Sequence, residues 1–325
     1  MTIRILYPGF LTSVQDLGRY GFQRYGVVAS GSMDSFAHRV ANLIVGNNEN
    51  MPTLEMTIKG AVIEFDVDAL FSICGGDLGP EINGNPVPSW RPIFAKKGTI
   101  LQFKGYKEGC RTYLGIAGGF EIPKVMGSYS TYLRAGIGGY MGRALKEGDV
   151  LQRFVPSELS KKIASSIAKN KWGVSSNLLS FYQTNHLVRF VRGNEYHLFT
   201  KESQTKFENE HFVISPNSDR MGYRLEGTKL NLIRPFEMIS EAVTFGTIQV
   251  PSDGNPIILL ADRQTTGGYP KIAQIANVDL PILAQSKPGD KIRFMPITLY
   301  EAQQLFLQRE QEIWNLNKQI ERMYM

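Results

Sequence analysis

Two stretches of this 325-residue chain are variants of one another. That repetition restricts the fold more than any bulk property does. TLEMTIKGAVIEF (53–65) matches ISEAVTFGTIQVP (239–251), with Glu55 and Glu241 at the same spacing from Gly60 and Gly246. Each copy then runs through an apolar stretch to an aspartate in a polar turn, Asp77 in SICGGD and Asp262 in ILLAD. RPIFAKKGTILQF (91–103) matches LPILAQSKPGDKIRF (280–294), and upstream QDLGRYGFQRYG (15–26) echoes SDRMGYRLEG (218–227). Four pairs in the same order predict two copies of one architectural unit.

The units read as β structure. AVIEFDV, ALFSIC, TILQF, TYLGIA, LVRFVRG, TIQV, PIILLA and KIRFMPI are short runs bounded by Gly, Pro, Asp or Asn, the pattern of strands between turns. KKGT, KEGD and KPGD each lead into such a run, and the 32 glycines fit many tight turns. Short strands without regular helical crossovers favour barrels or sandwiches. The predicted class is therefore mainly β, two related barrel-like units with a few helices and a long C-terminal helix.

Three segments carry helical signals. DSFAHRVANLIVG (34–46) has Ser32 and Asp34 as possible N-caps and ends at Gly46. SELSKKIASSIAKN is weakly amphipathic. In the tail from Thr298, Leu299, Ala302, Phe306, Ile313, Leu316, Ile320 and Met323 follow 3,4 spacing, with Arg309 in the one polar gap. The expected organisation is a first unit over 1–160, a basic linker over 161–185, a second unit over 186–297 and the helix over 298–325.

Composition excludes several function classes. The net charge of +6 owes much to Lys161, Lys162, Lys169 and Lys171, a solvated stretch or a patch for an anionic partner. No basic patch with interleaved aromatics supports nucleic-acid binding. Two isolated cysteines, Cys74 and Cys110, form no disulfide framework. No apolar run approaches membrane-spanning length, and MTIRILYPGF lacks a secretory h-region. The expected location is the cytoplasm, with no membrane association.

The familiar motifs of cofactor chemistry are absent. There is no GxxxxGK[ST] phosphate loop, and AGIGGYMGR (135–143) lacks dinucleotide-binding spacing. His38, His186, His197 and His211 have no partner at metal-ligand spacing, so no metal is expected. No GxSxG elbow appears, nor the Met-Lys-Met tripeptide that accepts biotin. What remains is a set of polar turns: Gln15, Asp16 and Arg19; Ser30, Ser32 and Asp34; Ser128, Ser130 and Thr131; Asp219, Arg220 and Arg224; and Asp262, Arg263, Gln264, Thr265, Thr266 and Tyr269. An Asp–Arg pair can hold a carboxylate, phosphate or carbamoyl group, because the guanidinium is a planar fork and the acid fixes its pose. It can equally be a turn cap beside a structural ion pair.

PGFLTSVQDLGRYGFQRYGV, SGSMD, AGG, GSYSTY, SDRMGYRLEG, SEAV and LLADRQTTGGYPKIA together resemble allophanate hydrolase subunit 2. The same family is called KipA-like, the 5-oxoprolinase C subunit, or the biotin-dependent carboxyltransferase family. The likeness runs from about residue 3 to about residue 296. It implies cyclophilin-like β-barrel domains and a cytoplasmic partner from the KipI-like family of 5-oxoprolinase B subunits. It also implies a third, lactam-utilisation-type component (the A subunit), with which the pair opens 5-oxoproline to L-glutamate at the expense of ATP. The family allows two alternatives. One is a KipA-like regulator that antagonises a KipI-like inhibitor of a sporulation histidine kinase. The other is a carboxyltransferase component acting on urea or a similar amide, with biotin supplied in trans.

The leading expectation is a non-autonomous subunit of an ATP-dependent cyclic amide hydrolase, with the ATP site in or shared with its partner. ATP-coupled lactam opening by phosphorylation of the amide oxygen would need cationic donors around developing negative charge. Residue chemistry alone nominates Arg19, Arg220 and Arg263 for that role. Asp16, Asp219 and Asp262 would orient them or act as acid and base. Gln264, Thr265, Thr266, Tyr269, Ser32 and Asp34 would hold the small-molecule substrate.

Overall fold

A computed structural model describes residues 2–183 and 186–324. Thr184 and Asn185, which close the expected linker, and the terminal Met1 and Met325 lie outside the described residues. The chain divides into two units. One comprises residues up to Arg19, Ser30–Leu178 and the segment from Glu312; the other comprises Tyr20–Ala29 and Leu179–Gln311.

The first unit holds strands β1 (Thr2–Tyr7), β2 (Leu11–Gln15), β3 (Thr53–Thr57), β4 (Val62–Phe65), β5 (Ala69–Asp77), β6 (Pro80–Ile82), β7 (Asn85–Pro86), β8 (Ile93–Ala95), β9 (Ile100–Phe103), β10 (Glu108–Ile116) and β11 (Val150–Gln152). Helix α1 (Ser35–Ile44) follows β2, and α2 (Glu158–Ser166) follows β11. The strands form a six-stranded sheet, β11-β1-β4-β9-β6-β7, and a five-stranded sheet, β2-β3-β10-β5-β8. One hydrophobic cluster joins them. Ile5, Ile63, Phe65 and Leu101 come from the first sheet, and Val14, Leu54, Ile73 and Leu114 from the second.

Alternation along the five-stranded sheet sends the intervening residues to its other face. Register aligns Ser13 with Glu55, Glu55 with Tyr113, and Tyr113 with Cys74 across four neighbouring strands. That face is polar, yet its residues are buried. Helix α1 packs against β5 and β10, where the Ser72 hydroxyl donates to the Ala41 carbonyl at 2.6 Å. Asp34 is its N-cap, accepting from the Ala37 N–H at 2.9 Å. Ser157 caps α2, and Lys161, one of the expected basic residues, pairs there with Glu158 at 2.6 Å.

Strands β12 (Leu187–Arg192), β13 (His211–Ile214), β14 (Gly222–Glu226), β15 (Glu241–Ala242), β16 (Thr247–Gln249), β17 (Ile257–Leu259), β18 (Thr266–Gly267), β19 (Lys271–Ile275) and β20 (Lys291–Pro296) belong to the second unit. Seven of them close into a barrel, β12-β19-β16-β17-β14-β13-β20, and β15 pairs with β18 as a separate ribbon. A short helix, α3 (Ser176–Leu179), lies at the change of unit; α4 (Lys201–Asn209) and α5 (Leu280–Ala284) accompany the barrel. Phe190, Phe212, Ile248, Ile258 and Phe294 fill the barrel core. The Phe207 ring of α4 stacks on Phe294 at 4.6 Å between centroids.

The mainly β class expected from the sequence is thus present, with few helices and the long helix α6 (Leu299–Tyr324). Strand closure differs between the units. The landmark Glu55 sits in buried β3, whereas Glu241 sits in the exposed ribbon. The predicted apolar stripe of α6 is buried only in part. Ile313 and Ile320 are covered, while Leu299, Phe306 and Met323 are exposed. Among the described residues no helix is long and apolar enough to cross a membrane.

Candidate functional site

Two polar centres emerge, one in each unit. In the first, the turn after β2 is organised by Asp16. Its buried carboxylate accepts from the Gly18 N–H (2.9 Å), the Ser128 hydroxyl (2.7 Å), the Ser130 hydroxyl (2.5 Å) and the Tyr129 N–H (2.7 Å). Arg19 is also buried and donates from Nε to the Val125 carbonyl (2.9 Å) and from Nη2 to the Ser130 carbonyl (2.7 Å). Both side chains therefore fasten residues 125–130. Gly138 completes the arrangement, because a Cβ there would lie 2.2 Å from the Ser130 carbonyl oxygen and 2.5 Å from Arg19 Nη2. The glycine-rich run 135–143 packs backbone on backbone here.

Residues 30–34 cross above the polar sheet face. Ser30 takes a left-handed φ of 54° ahead of Gly31, a conformation uncommon for a residue with a side chain. The Ser32 N–H donates to the Asp16 carbonyl (2.8 Å), the Met33 N–H to Glu55 Oε2 (2.9 Å) and the Asp34 N–H to the Tyr113 oxygen (2.8 Å). The Tyr113 hydroxyl in turn donates to Glu55 Oε2 at 2.7 Å. Burial, then the charges of Glu55 and Asp34, push the Tyr113 phenol well above its ordinary range.

His38 on α1 bonds Thr53 Oγ1 through Nδ1 at 2.8 Å. Burial pulls its pKa down to about 4, against the opposing influence of Asp16 and Glu55. The Gln15 Oε1, Ser30 Oγ, Ser32 Oγ and His38 Nε2 atoms are buried with no hydrogen-bond partner among the described residues. Sequence reasoning nominates none of Glu55, Tyr113 and His38. The available signal is a lone acid within TLEMT, whose other neighbours suit a buried strand.

The second centre follows β17. The Asp262 N–H donates to the Arg220 carbonyl at 2.8 Å, extending the β14–β17 ladder into the turn. Their side chains meet again, Arg220 Nε and Nη2 donating to the two Asp262 oxygens at 2.9 and 3.2 Å. Both are buried, each side chain being 6% exposed. Asp219 instead turns to its own backbone, accepting from the Met221 N–H at 2.7 Å, and is exposed.

Arg263 differs from its neighbours. It is 9% exposed, and among the described residues its guanidinium has only carbonyl partners, Val243 (Nε, 3.4 Å) and Leu260 (Nη1, 3.3 Å). Burial lowers its pKa, and the Tyr20 phenol opposes the shift. Around it the β15–β18 ribbon pairs Ala242 with Thr266, and the Val243 N–H donates to the Thr265 carbonyl at 3.1 Å. Gln264, Thr266 and Tyr269 are exposed, and Thr265 is half-buried.

The family profile of the carboxyltransferase domain, subdomains A and B, matches residues 25–296. The chain belongs to this family. Within it, the chain is 39% identical over 324 residues to the C subunit of 5-oxoprolinase from Escherichia coli, covering 98% of this chain and 99% of that one. It is 38% identical over 302 residues to the C subunit of 5-oxoprolinase from Haemophilus influenzae, covering 93% of each. Among solved structures, the urea amidolyase of K. lactis superposes with a TM-score of 0.85 at 31% identity. That match takes in 97% of this chain but 20% of the amidolyase.

Proposed function

We propose that this chain is the C subunit of an ATP-dependent 5-oxoprolinase. It works in the cytoplasm with a KipI-like B subunit and with the lactam-utilisation-type A subunit. The observation that carries the reading is end-to-end correspondence. The relatives named as 5-oxoprolinase C subunits match over 93% and 99% of their own lengths. The chain spans only a fifth of the amidolyase. ATP is bound in or shared with a partner, and biotin has a role only if supplied in trans.

Within that assembly, Arg263, Gln264, Thr265, Thr266 and Tyr269 face the substrate, and Arg263 supplies positive charge. Arg220 and Asp262 position that turn, and Asp219 orders the turn leading to it. In the first unit Asp16 and Arg19 are positioning residues for 125–130, and Asp34 holds the start of α1. Ser32 retains a hydroxyl free for a ligand group. A second reading, carboxyl transfer to urea or a similar amide, is favoured by the amidolyase superposition over nearly the whole of this chain. It requires a biotin-carrying protein. The test is co-expression with the neighbouring gene products, followed by an assay of 5-oxoproline-dependent ATP hydrolysis with and without this chain. Activity that needs all components supports the reading. An assembled, folded complex with no such activity refutes it.

A further inference from the structure

Two arginines flank Asp262 in the turn that ends β17, Arg220 from the residues before β14 and Arg263 from the turn itself, and Asp262 neutralises only the first. Asp262 is committed to Arg220 through both of its oxygens. Arg263 has no carboxylate partner among the described residues, and its Nη2 has no protein acceptor there. A guanidinium taken largely out of water without an anion bears an uncompensated desolvation cost. Two long bonds to carbonyl oxygens offset little of it. The planar fork suits a bidentate oxyanion, and a carboxylate matches its spacing. Exposed polar groups follow it in sequence, Gln264 next to it, Thr266 in β18 and Tyr269 beyond that strand, and Tyr20 acts on Arg263 electrostatically.

We propose that Arg263 is the specificity-determining residue of this site, binding the carboxylate of a small cyclic amide acid and thereby separating 5-oxoproline from neutral amides such as urea. The assignment rests on the 5-oxoprolinase reading for the identity of the ligand. It rests on the geometry alone for the ligand's charge. A neutral amide leaves the Arg263 charge unmatched, whereas 5-oxoproline has one carboxylate for one guanidinium.

The test is calorimetric titration of the full chain, alone and in its reconstituted assembly, as wild type, Arg263→Lys and Arg263→Gln. The probes are 5-oxoproline, 2-pyrrolidinone (the same ring without the carboxylate), inorganic phosphate and ATP. The expected result is at least a tenfold loss of 5-oxoproline affinity in Arg263→Gln and a smaller loss in Arg263→Lys. 2-Pyrrolidinone affinity should be the same in all three. Equal 5-oxoproline affinity in wild type and Arg263→Gln overturns the proposal. So does a parallel fall for 2-pyrrolidinone, which would mean a damaged site. Dependence on Arg263 for phosphate or ATP alone replaces the carboxylate with a phosphoryl group and also overturns it, as does a wild type that binds none of the probes. The functional reading fails separately. In that case the wild-type assembly shows no 5-oxoproline-dependent ATP hydrolysis, whatever Arg263-dependent binding calorimetry finds.

Discussion

Replacing Asp262 with alanine removes the counter-charge of a buried arginine. Arg220 donates two bonds to Asp262, and neither side chain is more than 6% exposed. Water cannot take over those bonds without opening the turn. Breaking such a pair from one side costs about 3–5 kcal/mol, because the remaining charge stays buried and loses the carboxylate that faced it. For a unit of this size that corresponds to a fall of about 10 °C in its unfolding midpoint. The assay is thermal and urea unfolding of wild type, Asp262→Ala, Arg220→Met and the double variant. The double variant should recover much of the loss, because an apolar pair carries no stranded charge. The coupling between the two sites should exceed about 2 kcal/mol. If Asp262→Ala costs under about 1 kcal/mol, or the losses simply add, the pair does not hold the turn as argued.

Three further outcomes follow from the first unit. The His38 pKa is drawn down to about 4 in the folded chain from an ordinary 6.5, so the unfolded chain binds the extra proton. Stability should therefore be full above about pH 6.5 and fall as pH drops toward 4, and His38→Asn should flatten that slope in pH-dependent unfolding. Glu55→Ala strips the acceptor from both the Tyr113 hydroxyl and the Met33 N–H. About 3 kcal/mol of stability should be lost on chemical unfolding, since hydrogen bonds to a charged group are worth more than neutral ones. Gly138→Ala forces a Cβ onto the Ser130 carbonyl at a φ of 68°. It should destabilise the unit by more than about 2 kcal/mol, with faster hydrogen exchange at residues 125–131.

The strands were legible because short apolar runs between Gly, Pro and Asp leave little choice but extended chain. The order of the repeat was legible for the same reason. What pairs with what was not, because ladder partners lie far apart in sequence. β5 lies between β10 and β8, while its counterpart β17 lies between β14 and β16. Equal spacing placed Glu55 and Glu241 at matching points of the chain but could not assign their burial. The same limit applies to the polar turns. Adjacency suggests that Asp262 neutralises Arg263. In the folded chain Asp262 instead meets Arg220, 42 positions away, and that exchange leaves Arg263 without an acid among the described residues. The 3,4 spacing of the tail identified a helix, since periodicity reports conformation. Which turns of it would be covered depended on surfaces that periodicity does not describe.

The central claim is that this chain serves lactam opening rather than carboxyl transfer. The most direct measurement is glutamate release from 5-oxoproline by the reconstituted assembly, followed alongside ATP consumption, with avidin present to block any biotin. The account predicts glutamate formed in step with ATP hydrolysis, insensitive to avidin and lost when this chain is omitted. ATP hydrolysis that depends on urea and stops with avidin, with no glutamate formed, would contradict it.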